Sequence, residues 1–157
     1  MYRAVFAICL MLAGAAQPGW AGAAQPGNLA GTWKIDQERS TADPDLTTQV
    51  VISQMGDALR LDYYEGKRLA ATEKFIADGQ SRERYKTRLG KGFASARWEK
   101  GALLIVTDVA LDNQGLQSYS SNERWSVSKD GKMLTRKTGD GKVRVFNRVV
   151  EGEAEGH

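Results

Sequence analysis

Cysteine and histidine are almost missing from this 157-residue chain, and their scarcity restricts its chemistry more than any residue present. The one cysteine is Cys9, and the one histidine is the terminal His157. After Ala23 the chain has no cysteine, and its one histidine is the last residue, where chain ends are usually disordered. Thiol nucleophiles, serine–histidine triads and zinc sites built from these ligands are therefore excluded. Haem held by histidine is disfavoured for the same reason. Disulfides are also excluded there, so burial and strand pairing must stabilise the fold.

A strong charge of one sign is missing as well. The formal net charge is +3, and removing Arg3 with the first residues lowers it to +2. Nucleic-acid binding usually depends on a concentrated basic patch, so this balance does not favour a nucleic-acid partner. Nothing in the composition points to a cofactor, and the oligomeric state stays open.

The N-terminal region has the pattern of an export signal. Arg3 precedes a short apolar stretch, Ala4–Ala16, which is too short to be a permanent membrane anchor. Small residues at Ala21–Ala23 predict cleavage after Ala23, with a second possible site at Ala15. We therefore expect a signal peptide over 1–23, a flexible leader over 24–28, no integral membrane segment after cleavage, and a periplasmic or secreted protein.

The rest of the chain alternates apolar and polar residues with a period of two, and turn residues interrupt it at short intervals. This pattern is typical of a β-meander. It predicts one domain over 29–150, followed by a disordered acidic tail over 151–157. The predicted strands cover 31–37, 47–55, 58–64, 68–77, 81–89, 93–100, 103–111, 116–128, 133–138 and 143–150.

Three Asp-Gly dipeptides, at 78–79, 130–131 and 140–141, separate apolar strands. Asp-Gly favours tight hairpins, because these turns need positive φ angles that Asp tolerates and Gly adopts freely. A sheet of about eight to ten consecutive antiparallel strands tends to curl and close, since closure removes exposed edges. An all-β up-and-down barrel is the first interpretation, and a two-sheet sandwich is the alternative.

Gly31-Thr32-Trp33 at the start of the first strand resembles the Gly-x-Trp signature of lipocalins and fatty-acid-binding proteins. The chain also resembles small secreted bacterial lipocalin-like proteins of the calycin type. That resemblance is carried by Ser40 and by the segments 97–106 and 126–132. It implies that Trp33 plugs one end of a barrel and packs against an arginine of the last strand, for which Arg148 is the best candidate and Arg144 the next. The connection over 38–46 is too short for the helical pair of fatty-acid-binding proteins.

If Trp33 points inward, strand phase predicts which side chains form a binding pocket. The predicted ligand-binding residues are Tyr63, Tyr85, Trp98, Tyr119, Trp125 and Arg84. Aromatic walls with a few polar groups are typical of small-molecule pockets, and an inward Arg84 would bind a ligand carboxylate. The alternative is that these aromatic side chains simply fill the barrel. Small residues at Ala94 and Ala96 would leave room for a ligand.

Three other patterns favour ordinary structural roles. The alternating row Arg82, Arg84, Lys86 and Arg88 is typical of a solvated outer strand face. Gly90-Lys91-Gly92 predicts a turn, since a phosphate loop needs further residues and a helix. Glu83 and Glu123 are predicted to face inward. There we expect each of them to form a salt bridge with an arginine rather than to take part in acid–base chemistry.

The leading hypothesis is a non-catalytic exported barrel that binds a small apolar or amphipathic molecule. The first alternative is a cell-envelope protein-interaction module with a filled core. The second is an enzyme that uses carboxylates, which would need two of them within reach of each other inside a cleft.

Overall fold

The structure is a computed structural model that describes residues 27–41, 46–88, 90–111 and 118–150. Its elements are ten strands of one antiparallel sheet, which confirms the predicted all-β, up-and-down chain. The strands are β1 (Gly31–Asp36), β2 (Gln49–Met55), β3 (Ala58–Glu65), β4 (Arg68–Ile76), β5 (Arg82–Lys86), β6 (Gly90–Glu99), β7 (Ala102–Leu111), β8 (Tyr119–Val127), β9 (Met133–Thr138) and β10 (Val143–Arg148).

The predicted signal peptide, residues 24–26 of the predicted leader and the predicted tail lie outside the described residues. Within the described ranges, no helix has the length and apolar character needed to cross a membrane.

The first and last strands lie side by side in the middle of the sheet, because β1 pairs with both β2 and β10. All strands that follow each other in sequence are hydrogen-bonded to each other, with the exception of β4 and β5, which are the two edges of the sheet. The connection between them contacts β6 instead, where Asp78 forms a bridge with Arg97 and Gly79 N donates to Ala96 O at 2.7 Å. The expected closure is therefore incomplete: a seam, the unpaired gap between β4 and β5, interrupts the sheet.

The Asp-Gly dipeptides play two different roles. At 130–131 and 140–141 they connect paired strands, and only the glycine has a positive φ, 72° at Gly131 and 88° at Gly141. The turn with two positive φ angles is Lys100-Gly101, between β6 and β7. Asp78-Gly79 joins β4 and β5, which splay apart after the turn, so the predicted paired hairpin is wrong there.

Burial alternates along the strands and marks the inner face of the barrel. The clearest case is β6, where Ala94, Ala96 and Trp98 are buried and their neighbours are more exposed. Trp98 lies opposite Leu103 on β7, which in turn lies opposite Trp125 on β8. The predicted inward phase is therefore correct for these three strands, and Leu59 and Leu61 confirm it for β3.

The predicted phase is wrong at Glu83, because a bulge between Glu83 and Tyr85 puts these two residues on opposite faces of β5. Glu83 lies opposite the outward Phe93 and is exposed, so it does not face inward as predicted. Arg82 and Arg84 do not belong to a solvated outer face, since both line an internal cavity. A bulge adds a residue that period-two alternation does not count, so residues on its two sides do not share the phase that alternation assigns them.

The predicted turn Gly90-Lys91-Gly92 is also wrong, because these residues begin β6. Gly90 and Gly92 have no side chain, so neighbouring atoms can approach the backbone of β6 closely. A Cβ on Gly90 would lie 2.2 Å from Ala110 O, and one on Gly92 would lie 2.2 Å from the Tyr85 ring. A strand glycine that accommodates a neighbouring backbone resembles a turn glycine in the sequence.

Candidate ligand-binding site

One end of the barrel is closed by Trp33, which is fully buried. Its indole Nε1 donates to Leu29 O at 2.9 Å, and the Arg148 guanidinium lies 4.2 Å from the centroid of its ring. Arg148 also donates from Nη1 to Ala30 O at 3.0 Å and from Nε to Gly131 O at 2.7 Å. These contacts tie the N-terminal segment, β10 and a hairpin turn together around one tryptophan.

An apolar cavity of about 540 Å³ lies beside the seam. The inner faces of β3, β4 and β6 contribute Leu59, Phe75, Ala94 and Ala96, all of which are buried side chains. Its mostly apolar wall is completed by residues 53–55, 58, 60, 74, 76, 80, 82 and 84. The small side chains at 94 and 96 leave the space that the sequence predicted beside Trp98.

Arg84 brings a guanidinium group to this cavity. Its side chain is one quarter exposed, and its guanidinium carbon lies 4.4 Å from the centroid of the Phe75 ring. Arg84 Nη2 donates to Glu73 Oε1 at 3.2 Å, and Nη1 approaches Lys74 O at 3.5 Å. Arg84 therefore reaches from β5 across the seam to three consecutive residues of β4.

A second cavity, of about 860 Å³, has a mostly polar wall. Arg136 and Arg144 lie directly opposite each other on β9 and β10 and both line it. Glu123 bonds to Arg136, whose guanidinium lies 5.3 Å from the centroid of the Trp125 ring. Its wall is completed by residues 73, 107, 120–122, 138–140 and 142. Two neighbouring strands thus bring two guanidinium groups to the wall of one cavity.

Glu73 stands between the two cavities. It lines the polar cavity, while its carboxylate accepts a hydrogen bond from Arg84 of the apolar cavity. The second carboxylate oxygen accepts a hydrogen bond from Tyr63 Oη at 2.9 Å. Burial, reinforced by the charge of Glu73, raises the pKa of the Tyr63 hydroxyl, so this group stays a proton donor.

Burial also raises the pKa of Glu123, although the neighbouring Arg136 opposes the shift. Glu73 and Glu123 are thus two carboxylates on one cavity, the arrangement that the enzyme alternative requires. Each of them is bonded to its own arginine, Arg84 or Arg136. Each carboxylate therefore has a structural role as one half of an ion pair, which explains its presence without acid–base catalysis.

The predicted site residues do not meet in one place. Arg84 is the member of that set that lines a cavity. Trp98 and Trp125 are buried in the core, and Tyr63 packs against it. Tyr85 and Tyr119 are 45% and 58% exposed, so they do not form the predicted aromatic wall. A role of these aromatic residues in binding stays a prediction.

Sequence reasoning missed Glu73, Arg136 and Arg144 as inward polar residues of the site. A signal for each was available in the strand alternation. Arg136 is two residues from the buried Leu134, Arg144 is two residues from Phe146, and Glu73 is two residues from Phe75. Charged side chains in a row with buried apolar ones indicate a polar group inside a barrel.

Comparison with solved structures finds barrels of the same kind. The wild-type fluorescent protein UnaG superposes with a TM-score of 0.51 and 23% identity over 77% of this chain and 97% of that one. A mutant of the same fluorescent protein gives a TM-score of 0.52. The REP1-NXSQ fatty acid transporter gives a TM-score of 0.50 and 18% identity over 78% of this chain and 96% of that one. No protein-family model and no curated protein matches the chain.

The likeness shows the fold alone. It supports the calycin-type barrel implied by the Gly-Thr-Trp resemblance, with the strands in one antiparallel sheet. A bacterial, secreted origin is not part of this likeness. Function must be argued from the cavities, because one fold supports many functions.

Proposed function

We propose that this protein binds a small amphipathic anion inside its barrel without catalysing a reaction on it. The observation that carries the proposal is the pair of cavities of opposite polarity, which adjoin at the Glu73–Arg84 ion pair. The apolar cavity, at about 540 Å³, lies within the range of about 300–1,000 Å³ typical of small-molecule sites. A ligand with an apolar body and a charged head matches this division.

The apolar body would lie against Leu59, Phe75 and the two alanines of β6. These side chains are at most 9% exposed, so the part of a ligand that contacts them would be shielded from water. Apolar surface removed from water contributes roughly 25 cal/mol per Å², which makes this cavity the main source of affinity.

The anionic head would bind at Arg136 and Arg144. These two arginines lie directly opposite each other on neighbouring strands, and Glu123 is bonded to Arg136. A carboxylate or sulfonate that reaches both guanidinium groups would add charge-assisted hydrogen bonds to the contacts that the arginines make within the protein. The name of one structural neighbour, a fatty acid transporter, supports a ligand of this chemical class.

Two dyes that differ by one charge test the proposal. Anilinonaphthalene sulfonate has an apolar body and a sulfonate, while phenylnaphthylamine has the same rings and no charge. We expect both to fluoresce on binding, and the sulfonate to bind more tightly. Arg144→Gln should weaken binding of the sulfonate roughly tenfold, the value of one charge-assisted hydrogen bond, and leave the neutral dye within twofold.

Matched control variants separate the cavities from the surface. Lys137→Gln removes an exposed cation from β9 and should change neither affinity. Ala94→Leu fills the apolar cavity and should weaken both dyes, whereas Ala110→Leu adds the same side chain at an exposed site and should not. Equal effects of Ala94→Leu and Ala110→Leu, or no binding of either dye, would contradict internal binding.

We also propose that the protein is exported, on the basis of the N-terminal pattern around Ala4–Ala16 and Ala21–Ala23. Expression of the full chain in a bacterium should give a periplasmic or secreted form, and its mass should be that of a protein that begins at Ala24. A cytoplasmic product that keeps Met1 would refute export, and a product that begins at Ala16 would assign the second cleavage site.

A further inference from the structure

The seam is the weakest part of the wall around the apolar cavity. Elsewhere neighbouring strands are joined by ladders of backbone hydrogen bonds, but β4 and β5 are edges along their whole described lengths. Phe75 and Ile76 from one edge and Arg82 and Arg84 from the other line the cavity. Moving these edges apart would break no ladder between them, whereas any other opening would separate paired strands.

Arg84 is the side chain that holds the two edges together along the seam. It contacts the carboxylate of Glu73, the carbonyl of Lys74 and the ring of Phe75. The bulge in β5 places Arg84 outside the regular ladder with β6, so its side chain is directed towards β4. The side chains of Arg84 and Glu73 are 25% and 36% exposed, and ion pairs of this kind open at little cost.

The outer border of the seam suits an apolar molecule on its way in. Ile76, on the β4 edge, is 46% exposed, and Met55 on the same cavity wall is 83% exposed. On its other side the apolar cavity adjoins the polar cavity at Glu73, which is bonded to Tyr63. An uncharged apolar molecule arriving from that side would first have to cross the polar cavity.

We infer that apolar ligands reach the cavity through the seam and that Arg84 is the latch that controls their passage. The inference rests on the proposed function, since it concerns access to the same cavity. A latch differs from a ligand contact in its kinetics. Removing a latch raises the association and dissociation rates by the same factor, whereas removing a contact raises mainly the dissociation rate.

The test is stopped-flow binding of phenylnaphthylamine, which carries no charge for Arg84 to bind. We expect Arg84→Met to raise both rate constants roughly fivefold, because a partly exposed ion pair and a cation–π contact across the seam are lost. A rise confined to the dissociation rate constant would instead identify Arg84 as a ligand contact and overturn the latch. Lys86→Met, an exposed cation on the same strand, should leave both rates unchanged.

A second variant keeps the test decisive if Arg84→Met perturbs the fold. The chain has one cysteine, Cys9, so a cysteine pair at Glu73 and Arg84 in the mature protein can be joined selectively by a reducible linker. The cross-link should slow both rates, and reduction should restore them. Normal binding with rates unaffected by Arg84→Met and by the cross-link would overturn the latch alone. No binding of the dye to the unmodified protein would overturn the proposed function with it.

Discussion

Replacing Arg148 with methionine tests how the closed end of the barrel is stabilised. The substitution keeps an apolar side chain over Trp33 but removes the guanidinium, which lies 4.2 Å from the ring centroid. A cation–π contact contributes about 0.5–2 kcal/mol. The hydrogen bonds to Ala30 O and Gly131 O add about 1 kcal/mol each. The value is no larger because both bonds are only partly buried, so water can partly replace the lost guanidinium. We therefore expect a loss of about 2.5–4 kcal/mol, or a Tm lower by roughly 10–16 °C.

The assay is urea unfolding followed by far-UV circular dichroism. Lys137→Met, an exposed cation on β9, is the control and should change the free energy of unfolding by less than about 0.5 kcal/mol. Trp33→Phe and the double variant complete a cycle, whose coupling energy should be roughly 0.5–2 kcal/mol. A loss in Arg148→Met no larger than the control, or strictly additive effects in the cycle, would refute the reasoning.

Two further predictions concern the β6 glycines and the interior ion pair. Gly90→Ala should cost about 1–3 kcal/mol, since its φ of 157° is strained for other residues and its Cβ would meet backbone. Gly92→Ala should cost less in the same urea assay, because it meets only the exposed Tyr85 ring; the reverse order would contradict this. Arg136→Met leaves Glu123 buried without its guanidinium, so the pKa of Glu123 should rise further above its ordinary 4.5. The folded state then holds the proton more tightly than the unfolded chain, so stability should fall as pH rises from about 4.5 through the folded pKa. Equal pH slopes for Arg136→Met and the unmodified protein would refute that account.

The secondary structure of this protein could be predicted because its signals are local. Period-two alternation identified the strands, and Met133–Thr138 has the predicted bounds. Turn residues such as Asp130-Gly131 separated the strands, since the glycine adopts a φ that other residues avoid. The same locality explains the errors. A strand glycine such as Gly92 and a turn glycine look alike in sequence, and they differ only in what packs against them.

The candidate site could be predicted only in part, because it depends on contacts between distant strands. The sequence indicates that Arg84 could bind the carboxylate of a ligand. It does not indicate that Arg84 pairs with Glu73, because Glu73 lies on another strand. Arg136 and Arg144 meet because β9 and β10 pair in one particular register. Alternation also does not reveal the bulge between Glu83 and Tyr85, which puts these two residues on opposite faces of β5.

The sequence by itself determined an all-β meander, the inward phase of the regular strands, and the exclusion of thiol chemistry after Ala23. These follow from residue types and from the two-residue repeat of a strand, which need no knowledge of distant neighbours. The tertiary structure alone decided that β4 and β5 stay unpaired, that Arg84 spans the seam, and that an apolar and a polar cavity adjoin at Glu73. Those features arise from register, bulges and the curl of the sheet, which bring together residues that local patterns cannot relate.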